Sequence, residues 1–155
     1  RQVVARMNEL GMLVDVSHLN DQSFWDTLDA STKPVIASHS CCRSLCDNPR
    51  NLTDEQLKAL GAAAGVVAIT YVPFFVDTSA PSIDRLIDHI LHAIDMAGES
   101  AVGLGSDFDG GGDLLEDASH VPRITDGLLR RGVAEETVKA VLGGNTYRLL
   151  QATID

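Results

Sequence analysis

Four short apolar runs constrain the fold of this chain more than any other feature of its sequence. They cover residues 12–16, 34–38, 65–70 and 101–104, and each is rich in Val, Ile or Leu without a strict alternation of apolar and polar residues. Uninterrupted apolar runs are typical of strands that are covered on both faces, as in parallel sheets. The intervals between the runs are long enough for the crossover connections that parallel strands require.

Helical patterns fill those intervals. Thr53 and Gln56 have capping-box spacing and begin a helix that we expect to end near Ala63. Apolar residues recur at helical spacing over residues 82–97, which predicts an amphipathic helix. Further helices are predicted over residues 1–10, 24–30 (with an N-cap at Asn20 or Asp21), 123–131, 134–143 and 145–153. Helices and strands therefore alternate, which predicts an α/β fold, either a doubly wound sheet or part of a (β/α)8 barrel.

Length and charge exclude several classes of protein. The 155 residues suffice for one domain with its own core, and no apolar run approaches the roughly 20 residues of a membrane span. Twelve basic against 22 acidic residues give a net charge of −10, which argues against nucleic acid and anionic membranes as partners.

Two features bear on origin and compartment. The chain begins with Arg1 and its first ten residues already have a helical pattern, so we expect it to be a piece of a longer protein. Cys41, Cys42 and Cys46 are an odd number in close succession, which favours reduced thiols and with them a cytoplasmic location. They lack the paired spacing of a structural zinc site.

Polar residues follow three of the predicted strands. His18 follows the first strand, His39 ends the second, and Asp107 and Asp109 follow the fourth. The carboxyl ends of parallel strands form the active site in α/β folds, so we expect these side chains to lie at one edge. Neutral imidazoles are favoured zinc ligands, and neighbouring parallel strands are about 4.8 Å apart. His18 and His39 are therefore candidates for a metal site, with ordinary loop or core histidines as the alternative.

The remaining polar candidates have simpler alternatives. Asp107 stands directly at a strand end and suits acid–base chemistry, whereas Asp109 and Gly110 suit a turn. Arg50 is either a solvated side chain or a bidentate clamp for a carboxylate. The glycine-rich loop lacks the acidic ligands of a calcium loop and the third glycine of a dinucleotide fingerprint. His89, His92 and His120 are predicted to lie on the surface.

Five blocks, in order, resemble those of the membrane (renal-type) dipeptidase family: VDVSHL, PVIASHS, DNPRNLTDEQLKAL, VGLGSDFDG and GGNTYRLL. The resemblance covers essentially the whole chain. It implies that residues 1–155 are the C-terminal half of a single TIM-type (β/α)8 barrel domain, with about four parallel strands. It also implies a zinc-dependent metallopeptidase that hydrolyses dipeptides through a metal-activated water.

The resemblance also assigns roles to residues. The family has two zinc ions (Zn²⁺), and His18 and His39 match the two histidine ligands of one of them. Asp107 matches an acidic residue near the metal-bound water and the substrate amino group, and Arg50 matches the arginine that pairs with the terminal carboxylate. Residues 71–75 fall where the family lines part of its cleft. The family's His-x-Asp pair, its bridging Glu and a further substrate-binding His are not in this chain.

Three interpretations stay open at this point. In the first interpretation the chain is part of a dipeptidase, which acts on a dipeptide and can form a homodimer. Alternatively, it belongs to an amidohydrolase-like enzyme that acts on another amide or a lactam, because fold does not determine substrate. In the third interpretation the 155 residues alone are an inactive half-barrel, because such a unit exposes strand edges and holds only half of the metal ligands.

Overall fold

The computed structural model describes residues 1–111 and 114–154. Within these residues three parallel strands form one sheet: β1 (Ile36–Ser40), β2 (Val66–Ile69) and β3 (Val102–Leu104). The sheet order is β1-β2-β3, so each strand pairs with the next one along the chain. The predicted parallel α/β fold is confirmed. The sequential order suits a barrel, because a doubly wound sheet reverses its strand order at a switch point.

The first predicted strand, residues 12–16, is shorter than expected. Within the described part of the chain it forms only an isolated parallel bridge, between Asp15 and Ile36. Val16 donates to the carbonyl of Ile36 at 2.7 Å, and Ile36 donates to that of Val14 at 3.0 Å. The backbone has a positive φ at His18, which ends the extended stretch after these two bonds. The sheet therefore has three strands and one bridged segment instead of four strands.

The helices follow the predicted intervals, with two differences. A short helix at residues 73–76 was not predicted, and Pro73 stands at its start. The predicted helix over residues 134–143 divides into an α-helix and a π-helical segment, Ala140–Gly144. The helices are α1 (Gln2–Glu9), α2 (Asp21–Ala30), α3 (Asp54–Ala62), α4 (Pro73–Val76), α5 (Ile83–Ala97), α6 (Pro122–Arg130), α7 (Glu135–Lys139) and α8 (Asn145–Ile154).

Side-chain caps begin two of the helices at the expected places. Asn20 accepts a hydrogen bond from the backbone N–H of Ser23 at 2.8 Å and caps α2. Thr53 and Gln56 form a complete capping box at the start of α3. In residues 1–111 and 114–154, no helix has both the length and the apolar character needed to cross a bilayer.

The two faces of the sheet are covered differently. One face belongs to the main core, to which α3 and α5 contribute buried leucines and isoleucines. On the other face, Leu149 of α8 packs with Ile36 and Val66 at the amino ends of β1 and β2. Arg148 of α8 donates to the carbonyls of Ala64 at 3.1 Å and Ser100 at 2.9 Å. Helix α8 thus lies at the amino ends of the strands and leaves the carboxyl ends to the polar residues.

His89 is buried, so the prediction that it lies on the surface was wrong. Its Nδ1 accepts a hydrogen bond from the backbone N–H of Cys42 at 3.0 Å, and its Nε2 donates to the carbonyl of Val76 at 2.8 Å. These partners lie in irregular or short segments, whose buried backbone groups need side-chain partners. Burial lowers the pKa of His89, and the histidine joins α5 to the segments around it. His92 and His120 are half-buried.

A hydrogen bond between α5 and α3 makes stability depend on pH. His92 Nε2 donates to Asp54 Oδ1 at 2.8 Å, and Ser44 Oγ donates to the same oxygen at 3.0 Å. These contacts lower the pKa of the Asp54 carboxyl from 3.8, with the His92 bond as the largest cause. A lowered folded-state pKa stabilises the protein above the unfolded-state pKa, and the contribution is lost as the pH falls through the folded-state value.

We therefore expect Asp54→Asn to lower the thermal unfolding midpoint near pH 6 and to have a smaller effect near pH 3. Thermal denaturation of both proteins across this pH range measures the difference. Asp95→Asn, at an exposed position of α5, is the matched control and should give a difference that changes little with pH. An Asp54→Asn difference that stays constant from about pH 6 to about pH 3 would contradict the assignment.

Candidate functional site

The structure brings His18 and His39 together at the carboxyl end of the sheet. Their Nε2 atoms are 2.8 Å apart, and the two rings meet edge to face at 62°. Two nitrogens bound to one tetrahedral zinc ion at about 2.0–2.1 Å are about 3.3 Å apart. The two rings would therefore need to move apart only slightly to bind the same ion. The two imidazoles fit a divalent metal as part of its ligand set.

A β-bulge places His39. Ile36 pairs with Val66 and Ala37 with Val67, but the next pair joins Ser40 to Ile69, so β1 has one extra residue after Ala37. The bulge interrupts the alternation of side chains, and Ser38 and His39 are both half-buried. Bulges re-aim side chains near active sites. The apolar pattern of residues 34–38 contains no signal for this feature.

Gly105 makes room for the bulge. A Cβ atom at this position would overlap the carbonyl oxygen of Ser38 and lie 2.9 Å from the Cβ of Ala68. Gly105 therefore lets the strand that carries His39 approach the loop that continues to Asp107. The sequence pattern around Gly105 contains no signal for this close approach.

Arg50 lies against His18. Its Nη1 atom is 2.9 Å from Nδ1 and 3.4 Å from Nε2 of the same ring, so the guanidinium lies over the imidazole face. The Arg50 Cζ atom is also 5.2 Å from the centre of the Phe75 ring. Partial burial, then the Arg50 charge, then His39 lower the pKa of His18. These effects favour the neutral imidazole, the form that binds metals.

One edge of the Arg50 guanidinium has no partner. Its Nε and Nη2 atoms are buried, and the described residues offer neither of them a hydrogen-bond acceptor. Together these two atoms form the side-on fork that matches the two oxygens of a carboxylate. Buried donors without acceptors are rare in proteins, so this fork suits an anionic ligand.

Asn51 holds the loop that carries Arg50. It is fully buried and accepts a hydrogen bond from the backbone N–H of Cys41 at 3.1 Å through Oδ1. Its Nδ2 donates to the carbonyls of Cys46 at 2.9 Å and Phe75 at 2.8 Å. Asn51 therefore joins the Arg50 loop to α4. The role of Asn51 could not be predicted from the sequence, because its three partners are backbone groups and leave no side-chain pattern.

We expect Asn51→Ala to lower the free energy of unfolding by about 3 kcal/mol, because it leaves the backbone N–H of Cys41 and the carbonyl of Phe75 without partners and removes one of the two donors to the carbonyl of Cys46. Urea denaturation measures the loss. Asn51→Asp should also destabilise, since it removes both N–H donors while keeping the shape. Gln22→Ala, which removes an exposed side chain from α2, is the control and should change little. Equal stability of all the variants would contradict the role of Asn51.

Asp107 lies in a strained loop near the histidines. Its φ of 57° is in the left-handed region, as is the φ of 70° at His18. Strained backbone of this kind is frequent at functional sites. A Cβ atom at Gly110 would overlap the Asp107 carboxylate, so the glycine leaves space for that side chain. The charge of Asp107 acts on His18 in the direction that raises its pKa, against the larger effects already given.

Residues 71–75 line the same end of the sheet. Tyr71 is buried, stacks edge to face on Phe108 at 5.7 Å between ring centres, and has a pKa raised to about 12 by burial. Phe74 is exposed, and Phe75 packs beneath Arg50. The predicted cleft segment thus contributes Phe75 to the setting of the Arg50 guanidinium.

The three cysteines are free and buried. Burial raises the pKa of the Cys41 and Cys42 thiols, so neither is a reactive thiolate. Within residues 1–111 and 114–154, no group of three or more His, Cys, Asp or Glu side chains is arranged to hold a metal ion. A metal ion bound to His18 and His39 would therefore need further ligands.

The chain is similar in sequence and in structure to known proteins. The family described as membrane dipeptidase (peptidase family M19) matches residues 1–155. Dipeptidase tcpJ of Claviceps purpurea is 36% identical over an alignment of 160 positions, which covers 100% of this chain and 38% of that protein. Dipeptidase 3 of Rattus norvegicus is 38% identical over 154 residues, 97% of this chain and 32% of that protein.

A solved structure has the same fold. It is that of a metallo peptidase from Rhodobacter sphaeroides, liganded with a phosphinate mimic of the dipeptide L-Ala-D-Ala. The TM-score is 0.91 at 31% identity, over 98% of this chain and 45% of that one. The chain thus spans less than half of the length of each of these three proteins. It belongs to the membrane dipeptidase family, peptidase family M19.

Proposed function

We propose that the protein containing this chain is a zinc-dependent dipeptidase, and that residues 1–155 are the C-terminal part of its single barrel domain. The observation that carries the proposal is the convergence of His18 and His39 beside the Arg50 fork, which has no partner among the described residues. Two similar proteins are named dipeptidases, and a similar structure binds a dipeptide mimic. Membership of a metallopeptidase family implies a metal cofactor.

In this proposal His18 and His39 hold one of two zinc ions. Imidazole nitrogens suit zinc, and further sequence of the protein supplies the other ligands. A metal in such a site polarises the scissile carbonyl and lowers the pKa of water. The chain itself contributes the two imidazoles, the arginine fork and an acidic side chain.

The substrate would be oriented by Arg50 and Asp107. The Arg50 fork pairs with the terminal carboxylate of the dipeptide, and Asp107 accepts a proton and returns it to the leaving amine. A third residue would displace the carboxylate from the fork, so the arrangement selects dipeptides over longer peptides. A homodimer and a cytoplasmic location stay predictions.

Arg50→Ala tests the substrate class. We expect the variant to lose about 100-fold in kcat/KM for a dipeptide, mainly through KM, because a charge-assisted bidentate contact contributes about 3 kcal/mol. The comparison substrate is the same dipeptide with a C-terminal amide, which lacks the carboxylate. Discrimination between the two should be strong in the wild type and nearly absent in Arg50→Ala.

The assay uses the full natural protein that contains this chain, loaded with zinc. Arg130→Ala is the matched control, because Arg130 is exposed on α6 and pairs with Asp126. Unchanged discrimination in Arg50→Ala would refute the carboxylate clamp and favour another amide or a lactam as the substrate.

A further inference from the structure

We propose that Asp15, acting through the Ser38 hydroxyl, is a positioning residue that sets the ring tautomer of His39 and fixes the two histidines relative to each other. The inference rests on the proposed metal site and assigns a role to two residues outside it. The hydrogen-bond partners of Asp15 are not the histidine rings. They are the backbone N–H groups of Ser17 and Ser38 and the hydroxyl of Ser38.

The Asp15 carboxylate joins the two segments that carry the histidines. Its Oδ1 accepts hydrogen bonds from the backbone N–H of Ser17 at 2.9 Å and of Ser38 at 3.1 Å. These are the residues immediately before His18 and His39. A further link joins the same two segments, because the backbone N–H of His39 donates to Ser17 Oγ at 3.0 Å. The Asp15 carboxylate and the Ser17 hydroxyl therefore both tie the segment that carries His18 to the one that carries His39.

The second carboxylate oxygen determines a proton position. Asp15 Oδ2 is 2.5 Å from Ser38 Oγ, and Ser38 Oγ is 2.7 Å from His39 Nδ1. An ionised carboxylate only accepts hydrogen bonds, so the single hydroxyl proton of Ser38 goes to Asp15. The Ser38 oxygen must then accept from His39, which places the proton of the neutral imidazole on Nδ1.

The tautomer has a direct consequence for metal binding. A neutral imidazole with its proton on Nδ1 has its lone pair on Nε2. Nε2 of His39 is the atom that faces Nε2 of His18. Partners of the outer ring nitrogen commonly orient metal-binding histidines in this way, and losing them weakens metal binding about 10–100-fold. Here the carboxylate acts through a serine hydroxyl, so Asp15 and Ser38 together orient the His39 ring.

Asp15→Asn tests the tautomer directly. Where the asparagine amide replaces Oδ2 it donates to Ser38 Oγ, which frees the Ser38 hydroxyl proton to donate to His39 Nδ1. The proton of His39 then moves to Nε2, the wrong nitrogen for a ligand. Ser38→Ala removes the link while it keeps both backbone hydrogen bonds to Asp15 Oδ1, and Ser38→Thr restores the hydroxyl.

The first readout is NMR of the full natural protein without added metal, with ¹⁵N-labelled histidine, at about pH 8, where free imidazoles are neutral. Long-range ¹H–¹⁵N correlations report which ring nitrogen bears the proton. In the wild type and in Ser38→Thr, we expect the His39 proton on Nδ1. In Asp15→Asn we expect it on Nε2, and in Ser38→Ala we expect a mixture of the two tautomers. An unchanged His39 tautomer in both Asp15→Asn and Ser38→Ala would overturn the proposal.

The second readout is Zn²⁺ and Co²⁺ titration of the full natural protein. We expect Asp15→Asn and Ser38→Ala to bind the ions at least about tenfold more weakly, with Ser38→Thr close to the wild type. Asp109→Asn, an exposed acid of the neighbouring loop, is the control. Wild-type affinity in Asp15→Asn and Ser38→Ala would overturn the positioning role. A wild type that binds neither ion would refute the proposed function instead, and the NMR result would still decide the tautomer.

Discussion

His39→Ala is expected to abolish dipeptide hydrolysis, with a loss of about 10³-fold or more in kcat/KM. The substitution removes one of the two converging Nε2 atoms, and a catalytic metal supplies several kcal/mol of transition-state stabilisation. The loss should appear mainly in kcat, since the Arg50 fork remains in place to bind substrate. Steady-state kinetics of the full natural protein and elemental analysis of bound zinc measure the two consequences.

His120→Ala is the control for that experiment. His120 is half-buried beside the exposed carboxylates of Glu116 and Asp117, away from β1. It should retain wild-type zinc content and kcat/KM. Circular dichroism and thermal unfolding of His39→Ala separate loss of the metal from loss of the fold. A folded His39→Ala protein with wild-type turnover would remove His39 from the metal centre.

Gly105→Ala is expected to lower the free energy of unfolding by about 3 kcal/mol or more. The added methyl group overlaps a backbone carbonyl, and backbone cannot rotate away as the end of a flexible side chain can. Relief requires movement of the Ser38 carbonyl, which belongs to the bulge that places His39. We therefore expect the variant to lose zinc affinity together with stability, as measured by urea denaturation and by metal titration.

Gly144→Ala is the matched control for Gly105→Ala. A Cβ atom at Gly144 would make only ordinary contacts, with the carbonyl oxygen and carbon of Lys139 at 3.4 and 3.8 Å. It should therefore leave both the unfolding midpoint and the zinc affinity near their wild-type values. A Gly105→Ala protein that is as stable as Gly144→Ala would show that β1 and the loop after β3 are farther apart than described.

The parts of the fold that depend on local pattern could be predicted from the sequence. The apolar runs of β1, β2 and β3 and the capping box of α3 are each complete within a few residues. The approach of His18 and His39 could also be predicted, because the carboxyl ends of neighbouring parallel strands are adjacent. Their roles as metal ligands, and those of Arg50 and Asp107 with substrate, remain proposals.

The features that depend on contacts between distant segments could not be predicted. The bulge in β1 requires the close approach of Gly105, which is more than sixty residues away. His89 has an ordinary position in an amphipathic helix, and only the unpaired backbone of other segments explains its burial. Residues 12–16 have the composition of a strand, but the positive φ at His18 ends the extended backbone after only two hydrogen bonds to Ile36 of β1.

Helix α8 packs at the amino ends of the strands, whereas the candidate site lies at their carboxyl ends. Arg148 ties the helix to the carbonyls that precede β2 and β3, whereas the candidate site uses the loops that follow β1 and β3. Substitutions in those loops can alter chemistry without loosening the anchor, which is how barrel scaffolds acquire new specificities. A library that randomises the cleft loops while leaving residues 145–154 intact would therefore be a sound starting point for engineering hydrolysis of other amides.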